Sequence, residues 1–399
     1  MRRPWAVVVC ALLPAMASGQ EQDGPRTRLK GYAAAEPRLF PQDARFPQQD
    51  WFSGSVAAEL ELRHEWDGRS KSLAVTPFIR LDQHDASRTH FDVREAALRL
   101  VSDDYELVAG ASKVFWGVTE SQHLVDIVNQ TDLVENPDGE DKLGQLMVNL
   151  TLARSWGTLN LFVLPGSRKR TFPGHEGRLR PSVVVDADAA VFEAGQWHTD
   201  FAVRWSKTVG VVDLGVSHFY GTSREPRLQS EGGSPGEEKL TPYYELIHQT
   251  GLDAQLTVGQ WLWKLEAIRR TGQGPEYLAA TAGFEYTFTN AFGTGIGLGL
   301  LAEYLYDDRG NRASTPWQDD VFAGVRLTAN DTQSTELLAG VIVDRRSGAR
   351  TWSLEASRRL RDHGKVGLEA RSFSGSRRED PLFELRRDDY VQIEFSYHF

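Results

Sequence analysis

The carboxyl-terminal residues constrain this chain more than any other segment: Val391, Ile393, Phe395, Tyr397 and Phe399 alternate with Gln392, Glu394, Ser396 and His398. A period of two puts one set on each face of an extended strand, because successive side chains of a strand point to opposite sides. The alternation returns along the chain. Val56, Ala58, Leu60 and Leu62 stand against Glu59, Glu61 and Arg63, and Leu73, Val75, Ile79 and Leu81 against Thr76, Arg80 and Asp82. Trp261, Trp263 and Leu265 oppose Lys264 and Glu266, and further runs surround Leu107, Val148, Val203, Ala282, Leu300 and Val325. A secreted soluble sandwich alternates in the same way. Length separates the two readings, since these runs approach the roughly 9–11 residues of a tilted transmembrane strand, against about five or six in a soluble one.

Aromatic residues mark the ends of the runs, as with Tyr304 and Tyr306, Trp205, Trp261, Phe288, Tyr397 and Phe399, where amphipathic rings meet a lipid interface. Lipid tolerates no unpaired strand edge, so such strands must close on themselves. The expected fold is therefore all-β: a transmembrane antiparallel up-and-down β-barrel of about 16–18 strands, the even-number rule favouring one of those two values. Leu29 to Ala35 supplies the first strand, ahead of a Pro-containing turn. Short connections at Ser102-Asp103, Ser155, Lys207-Thr208 and Gly259-Gln260 alternate with long external loops near 116–144, 165–196 and 221–241.

At the amino terminus Arg2 and Arg3 precede an apolar run from Trp5 to Ala15, followed by Ala17, Ser18 and Gly19. That is the pattern of a signal peptide, residues 1–19, cleaved near Gly19 and leaving residues 20–399 as the barrel. Cys10 is the single cysteine, so the remaining chain can form neither an internal disulfide nor a thiolate metal site. The formal net charge of −10 argues against nucleic acid as a partner.

The ending Tyr397-His398-Phe399 resembles the carboxyl-terminal signature of Gram-negative outer-membrane proteins. Across Leu29 to Phe399 the pattern is similar to porin-type channels, and Gly110 to Trp116 with the loop through Asp132 resembles alginate-export-like barrels. The resemblance implies diffusion of small solutes through a lumen, outer-membrane lipid around the wall, assembly machinery reading the strand that ends in Phe399, and association as a homotrimer in the manner of many porins. It carries over no ligand site.

With the apolar faces turned to lipid, the lumen receives Glu59, Glu61, Arg80, Asp82, Arg94, Arg204, Asp213, Lys264, Glu266, Arg326 and Glu394. Such charges set a transverse field that selects among solutes, although barrel interiors are polar in any case and most of these groups are expected to pair with one another. Asp126, Asp132, Glu135 and Asp138 in the first long loop face Arg168 and Arg170 in the second as candidates for a constriction with an acidic and a basic side. The acidic spacing does not match a calcium loop, so neither a metal nor a cofactor is assigned. No H-E-x-x-H or P-loop is present, and Gly293, Gly295, Gly297 and Gly299 are expected on one strand face as a smooth patch of wall. The leading expectation is a passive channel without enzymatic activity. The alternatives are a barrel enzyme acting on lipid or envelope substrates, and a plugged structural or receptor barrel.

Overall fold

The computed structural model describes residues 24–231, 238–291, 293–378 and 380–399; the expected leader lies outside them. Its strands, numbered in chain order, begin with β1 (Arg26–Leu39), β2 (Phe52–Trp66), β3 (Lys71–Asp82), β4 (His90–Val101) and β5 (Glu106–Ser112). There follow β6 (Gln145–Arg154), β7 (Gly157–Pro165), the short β8 (Val184–Val185) and β9 (Val191–Phe192), β10 (Thr199–Val209) and β11 (Val212–Thr222). Next come β12 (Arg227–Glu231), β13 (Lys239–Tyr244), β14 (Leu246–Val258), β15 (Trp261–Gly272), β16 (Gly274–Ala291) and β17 (Ile296–Asp307). The series ends with β18 (Asp319–Thr328), β19 (Glu336–Asp344), β20 (Arg350–Leu360), β21 (Gly364–Ser374) and β22 (Tyr390–His398).

Eighteen of these strands form one antiparallel sheet, each paired with the next in the chain, and β22 returns to β1. The seam is explicit: Ala33 faces Tyr397, Ala35 faces Phe395, and Gly31 and Phe399 exchange backbone hydrogen bonds of 3.0 Å in both directions. The remaining strands, β8, β9, β12 and β13, build a small sheet outside the wall, from the connections 166–198 and 223–245. No helix among the described residues is long and apolar enough to cross a membrane.

Leu60, Leu62, Leu73, Ile79, Leu146, Val148, Val216, Leu252, Leu300 and Val325 are all exposed although they sit in the middle of strands, as a lipid-facing belt requires. Tyr304 and Tyr306 lie near one end of that belt; Trp261, Phe288, Tyr397 and Phe399 lie near the other. The chain termini share an end with the short connections, among them 67–70, 102–105, 155–156, 210–211 and 259–260. The connections 40–51, 113–144, 166–198, 223–245 and 375–389 lie at the opposite, long-loop end.

Three local expectations change. Pro37 lies inside β1 rather than in a turn: the β1–β22 ladder is interrupted between Ala35 and Arg38, where a residue without an N–H can be accommodated. Lys207 and Thr208 belong to β10, and the turn is Gly210-Val211, because Gly210 supplies the positive φ of 63° that closes the hairpin. Gly293 and Gly295 stand in the turn before β17 with φ of 70° and 79°, so only Gly297 and Gly299 share a strand.

Gly110 has a φ of 133°, and a Cβ built there would lie 2.1 Å from the Ala96 carbonyl oxygen on β4. Gly110→Ala must therefore open the β4–β5 pairing next to the long loop 113–144, at a cost of about 1–3 kcal/mol. A lowered midpoint for conversion of the folded, heat-modifiable band in a gel-shift assay is the expected outcome. An unchanged midpoint would contradict this close approach.

Candidate functional site

The lumen is occupied along one side by the connection 113–144, and the sequence of that loop explains its position. Its apolar residues Trp116, Leu124, Val125, Ile127 and Val128 pack on inward-facing Met147, Phe162, Phe219, Ile247, Ile268 and Tyr277 of the wall, forming a buried cluster inside the barrel. The inward row from β6 to β16 is thus apolar where the loop rests, the opposite of what a water-filled half-lumen would need. The alternating polar face remains on the other strands.

Irregular backbone inside a barrel leaves N–H groups that need acceptors. Two wall carboxylates supply them. Glu266 on β15, fully buried, accepts from the Val118 and Thr119 N–H groups at 2.7 and 3.0 Å, from the Thr119 hydroxyl at 2.7 Å and from the Val125 N–H at 3.1 Å. Glu303 on β17 accepts from the Glu120 and Ser121 N–H groups, both at 2.8 Å, and from the Ser121 hydroxyl at 2.6 Å. Charge-assisted bonds of this kind are about twice as strong as neutral ones. Glu120 in turn meets Lys264 on β15 at 3.4 Å and Arg326 on β18 at 2.6 Å.

The far end of the loop is fastened to the opposite wall with the signs reversed. Arg80 on β3 donates to both Glu135 oxygens at 2.8–3.0 Å, and Arg94 on β4 meets Asp132 at 2.7 Å. Arg371 on β21 reaches Asp138 at 2.7 Å, and Asn136 donates to Glu369 at 3.2 Å. A β-bulge makes the Arg94 contact possible: the β3–β4 register shifts between Thr76 and Pro77, so the buried Arg94 and its neighbour Glu95 escape strict alternation.

The candidate residues named from sequence divide accordingly. Arg80, Arg94, Lys264, Glu266 and Arg326 hold the loop. Arg204 instead pairs with Asp253 across β10 and β14, and Asp82 accepts from Arg88 at 2.9 Å and caps the turn after β3. Glu59, Glu61 and Glu394 face the lumen toward the short-turn end, and Asp213 lies at that rim beside the Thr208 hydroxyl at 2.6 Å. Of the loop candidates, Asp132, Glu135 and Asp138 contact the wall, whereas Asp126 turns into the loop against Lys142 at 3.3 Å. The second loop lies beside the first: Asp132 and Thr171 form a parallel bridge, Arg168 meets Asp92 on β4 at 2.9 Å, and Arg170 donates to Gln130 at 3.3 Å.

Sequence reasoning missed Glu36, Arg88, Glu303, Glu369 and Arg371. Glu36 pairs with Arg80 at 3.2 Å and with Arg88. A signal existed only for Glu303, a single charge in the otherwise apolar inward row Leu301, Glu303, Leu305. His90, Asp132 and Glu135 bring ligand-type atoms within 4.8 Å of one another. Arg80 and Arg94 already neutralise both carboxylates, so the trio is read as part of the ion-pair network. Gly232-Gly233-Ser234-Pro235-Gly236 spells G-x-S-x-G, a motif the sequence reading passed over, and it lies wholly outside the described residues.

Neither a family model nor a curated protein matches the sequence. Solved structures do match the fold. OccD3 (OpdP) of Pseudomonas aeruginosa superposes with a TM-score of 0.56 at 9% identity, covering 94% of this chain and 91% of that one. The fold is that of a porin-type outer-membrane β-barrel. Wzi of Escherichia coli, described as a carbohydrate-binding β-barrel involved in capsule assembly, gives 0.54 at 9% identity over 92% of this chain and 84% of its own. A porin mutant of Rhodopseudomonas blastica gives 0.45 at 12% identity, over 94% of this chain and all of that one.

Two predictions test the anchoring of the loop. Arg94→Leu leaves Asp132, fully buried, without its ion-pair partner, an arrangement that costs about 3–5 kcal/mol. Limited proteolysis of the folded barrel should then cut within 113–144, where the parent protein resists; equal resistance would show that Arg94 does not hold the loop. His123 lies 2.9 Å from Glu140 and 3.8 Å from Glu266. Burial opposes its charge, but the hydrogen bond to Glu140 and the nearby Glu266 carboxylate outweigh it, so its pKa is raised. A raised pKa means that the tether is complete below the ordinary histidine range of about 6.5 and is lost only as pH climbs through the raised value. Histidine NMR should show His123 still protonated at about pH 8; titration near neutrality would contradict the tether.

Proposed function

We propose that the protein is a passive diffusion channel for small polar or charged solutes across the bacterial outer membrane, without enzymatic activity. The observation that carries this reading is the incomplete filling of the lumen. Between loop residues Glu120 and Asn136 and the wall from β18 to β22 lies a cavity of about 490 Å³, lined by Glu336, Glu355, Glu369 and Glu394 together with Arg326 and Lys365. On this reading the loop, clamped at both ends by charged groups, narrows the barrel without sealing it, and the acidic excess of the cavity lining favours cations. On the same reading the leader is cleaved near Gly19, assembly machinery engages the strand ending at Phe399, lipid surrounds the wall, and three barrels associate.

Single-channel recording of the refolded protein in a planar bilayer tests the proposal. Discrete conductance steps are expected, with a reversal potential under a salt gradient that reports cation preference. Joint replacement of Glu336 and Glu394 by Gln should shift that potential toward anions. A folded barrel that never conducts would overturn the channel and favour a plugged receptor.

A further inference from the structure

The mouth at the long-loop end has a chemistry unlike that of the passage beneath it. A cavity of about 610 Å³ opens between the long connections, and much of its lining is apolar: Leu133, Phe172, Leu179, Val185, Leu228 and Leu385, with several prolines between them. That volume is in the range of small-molecule sites, roughly 300–1,000 Å³. Its inner end carries arginines. Arg170 and Arg309 line both this cavity and a second one, of about 240 Å³, that continues toward the loop 113–144 and adds Arg270.

The charges lining the mouth cavity itself do not cancel: Arg170, Arg227, Arg309 and Arg312 stand there against Glu225 and Glu384. Arg270 meets Glu225 at 3.1 Å, and Arg309 meets Asp307 at 2.7 Å while lying over the Tyr277 ring at 3.6 Å. Arg170 has no carboxylate within 4.0 Å among the described residues; its Nε donates to the neutral Gln130 side chain. Arg270 and Arg309 are thus held by carboxylates, and Arg170 is left with its positive charge uncompensated at the base of an apolar mouth.

We propose that this mouth is a binding site for a small amphipathic monoanion, a carboxylate-type head on Arg170 with an apolar body against Leu133, Phe172, Val185 and Leu228. A guanidinium with free N–H groups suits a planar anionic head, and burial of the body against apolar side chains supplies the remaining affinity. A purely polar anion lacks the second contribution, and a neutral apolar molecule lacks the first. The acid-lined passage beyond the loop repels an anion, so the ligand is retained at the mouth. The inference rests on the expected external placement of the long loops for its sidedness, and on the channel reading for its electrical readout alone.

The test uses the full barrel in detergent and titration calorimetry with three probes: 4-phenylbutyrate, its neutral amide, and acetate. Phenylbutyrate is expected to bind one to one, with the amide and acetate at least about tenfold weaker, the loss expected when a charged hydrogen bond or a buried ring is removed. Arg170→Gln should weaken phenylbutyrate by about tenfold or more, and so should Leu228→Asn, an exposed position whose change does not threaten folding. In bilayers, phenylbutyrate should interrupt the current from the loop side only. Equal affinity for acid and amide, or no binding by a folded barrel, overturns the site. Binding by a barrel that never conducts keeps the site and removes the channel; conduction without binding does the reverse.

Discussion

The seam between β1 and β22 is the contact on which the rest of this structure depends. Inside a bilayer no water is available to satisfy an unpaired backbone group, so a sheet of this size exists there only when its first and last strands find each other. The chain meets that condition with its last residue, since Phe399 exchanges hydrogen bonds with Gly31. A Cβ at position 31 would lie 2.4 Å from the Glu59 carbonyl oxygen and 2.9 Å from the Phe399 ring, so glycine is what lets the two ends of the barrel approach. The ladder hydrogen bonds, the lipid belt and the enclosed loop all presuppose this closure.

Once the wall is closed, its inner face divides into two materials. From β6 to β16 the inward side chains are apolar enough to hold the loop as a soluble protein holds a core segment. From β18 through β22 to β4 charged groups such as Arg326, Glu369, Arg371, Arg80 and Arg94 stand among apolar ones such as Phe322 and Phe78. The loop joins the halves by presenting backbone N–H groups to Glu266 and Glu303 and carboxylates to Arg80, Arg94 and Arg371. Hydrophobic contact supplies most of the attraction, and the ion pairs fix where the loop stops.

The wall was largely legible in the sequence because a period of two survives without any knowledge of partners. Lys264 and Glu266 were placed in the lumen simply by opposing Trp261, Trp263 and Leu265. What alternation could not reveal is that an inward residue may meet protein instead of water. Met147, Phe162 and Ile268 look like breaks in a polar face until Trp116, Leu124 and Val125 are seen resting on them. The contacts of Glu303 with Ser121 and of Arg371 with Asp138 span long stretches of sequence, and nothing in local spacing encodes them. Pro37 and Lys207 misled for a narrower reason: strand ends follow from register and from a glycine's backbone angle more than from composition.

On the proposed channel reading, the apolar cluster under the loop also governs how far a charge in the passage is felt. Behind the loop residues Glu120 and Asn136 lies the dry, weakly polarisable cluster of Trp116, Val125, Ile127 and Phe162; across the cavity from those two residues stand Glu355, Glu369 and Glu394. Field lines from those carboxylates cannot spread into that cluster, and they concentrate in the water between. Salt screening acts only within that water, so the loop makes a few glutamates act over a longer distance than they would in an open, fully wetted barrel.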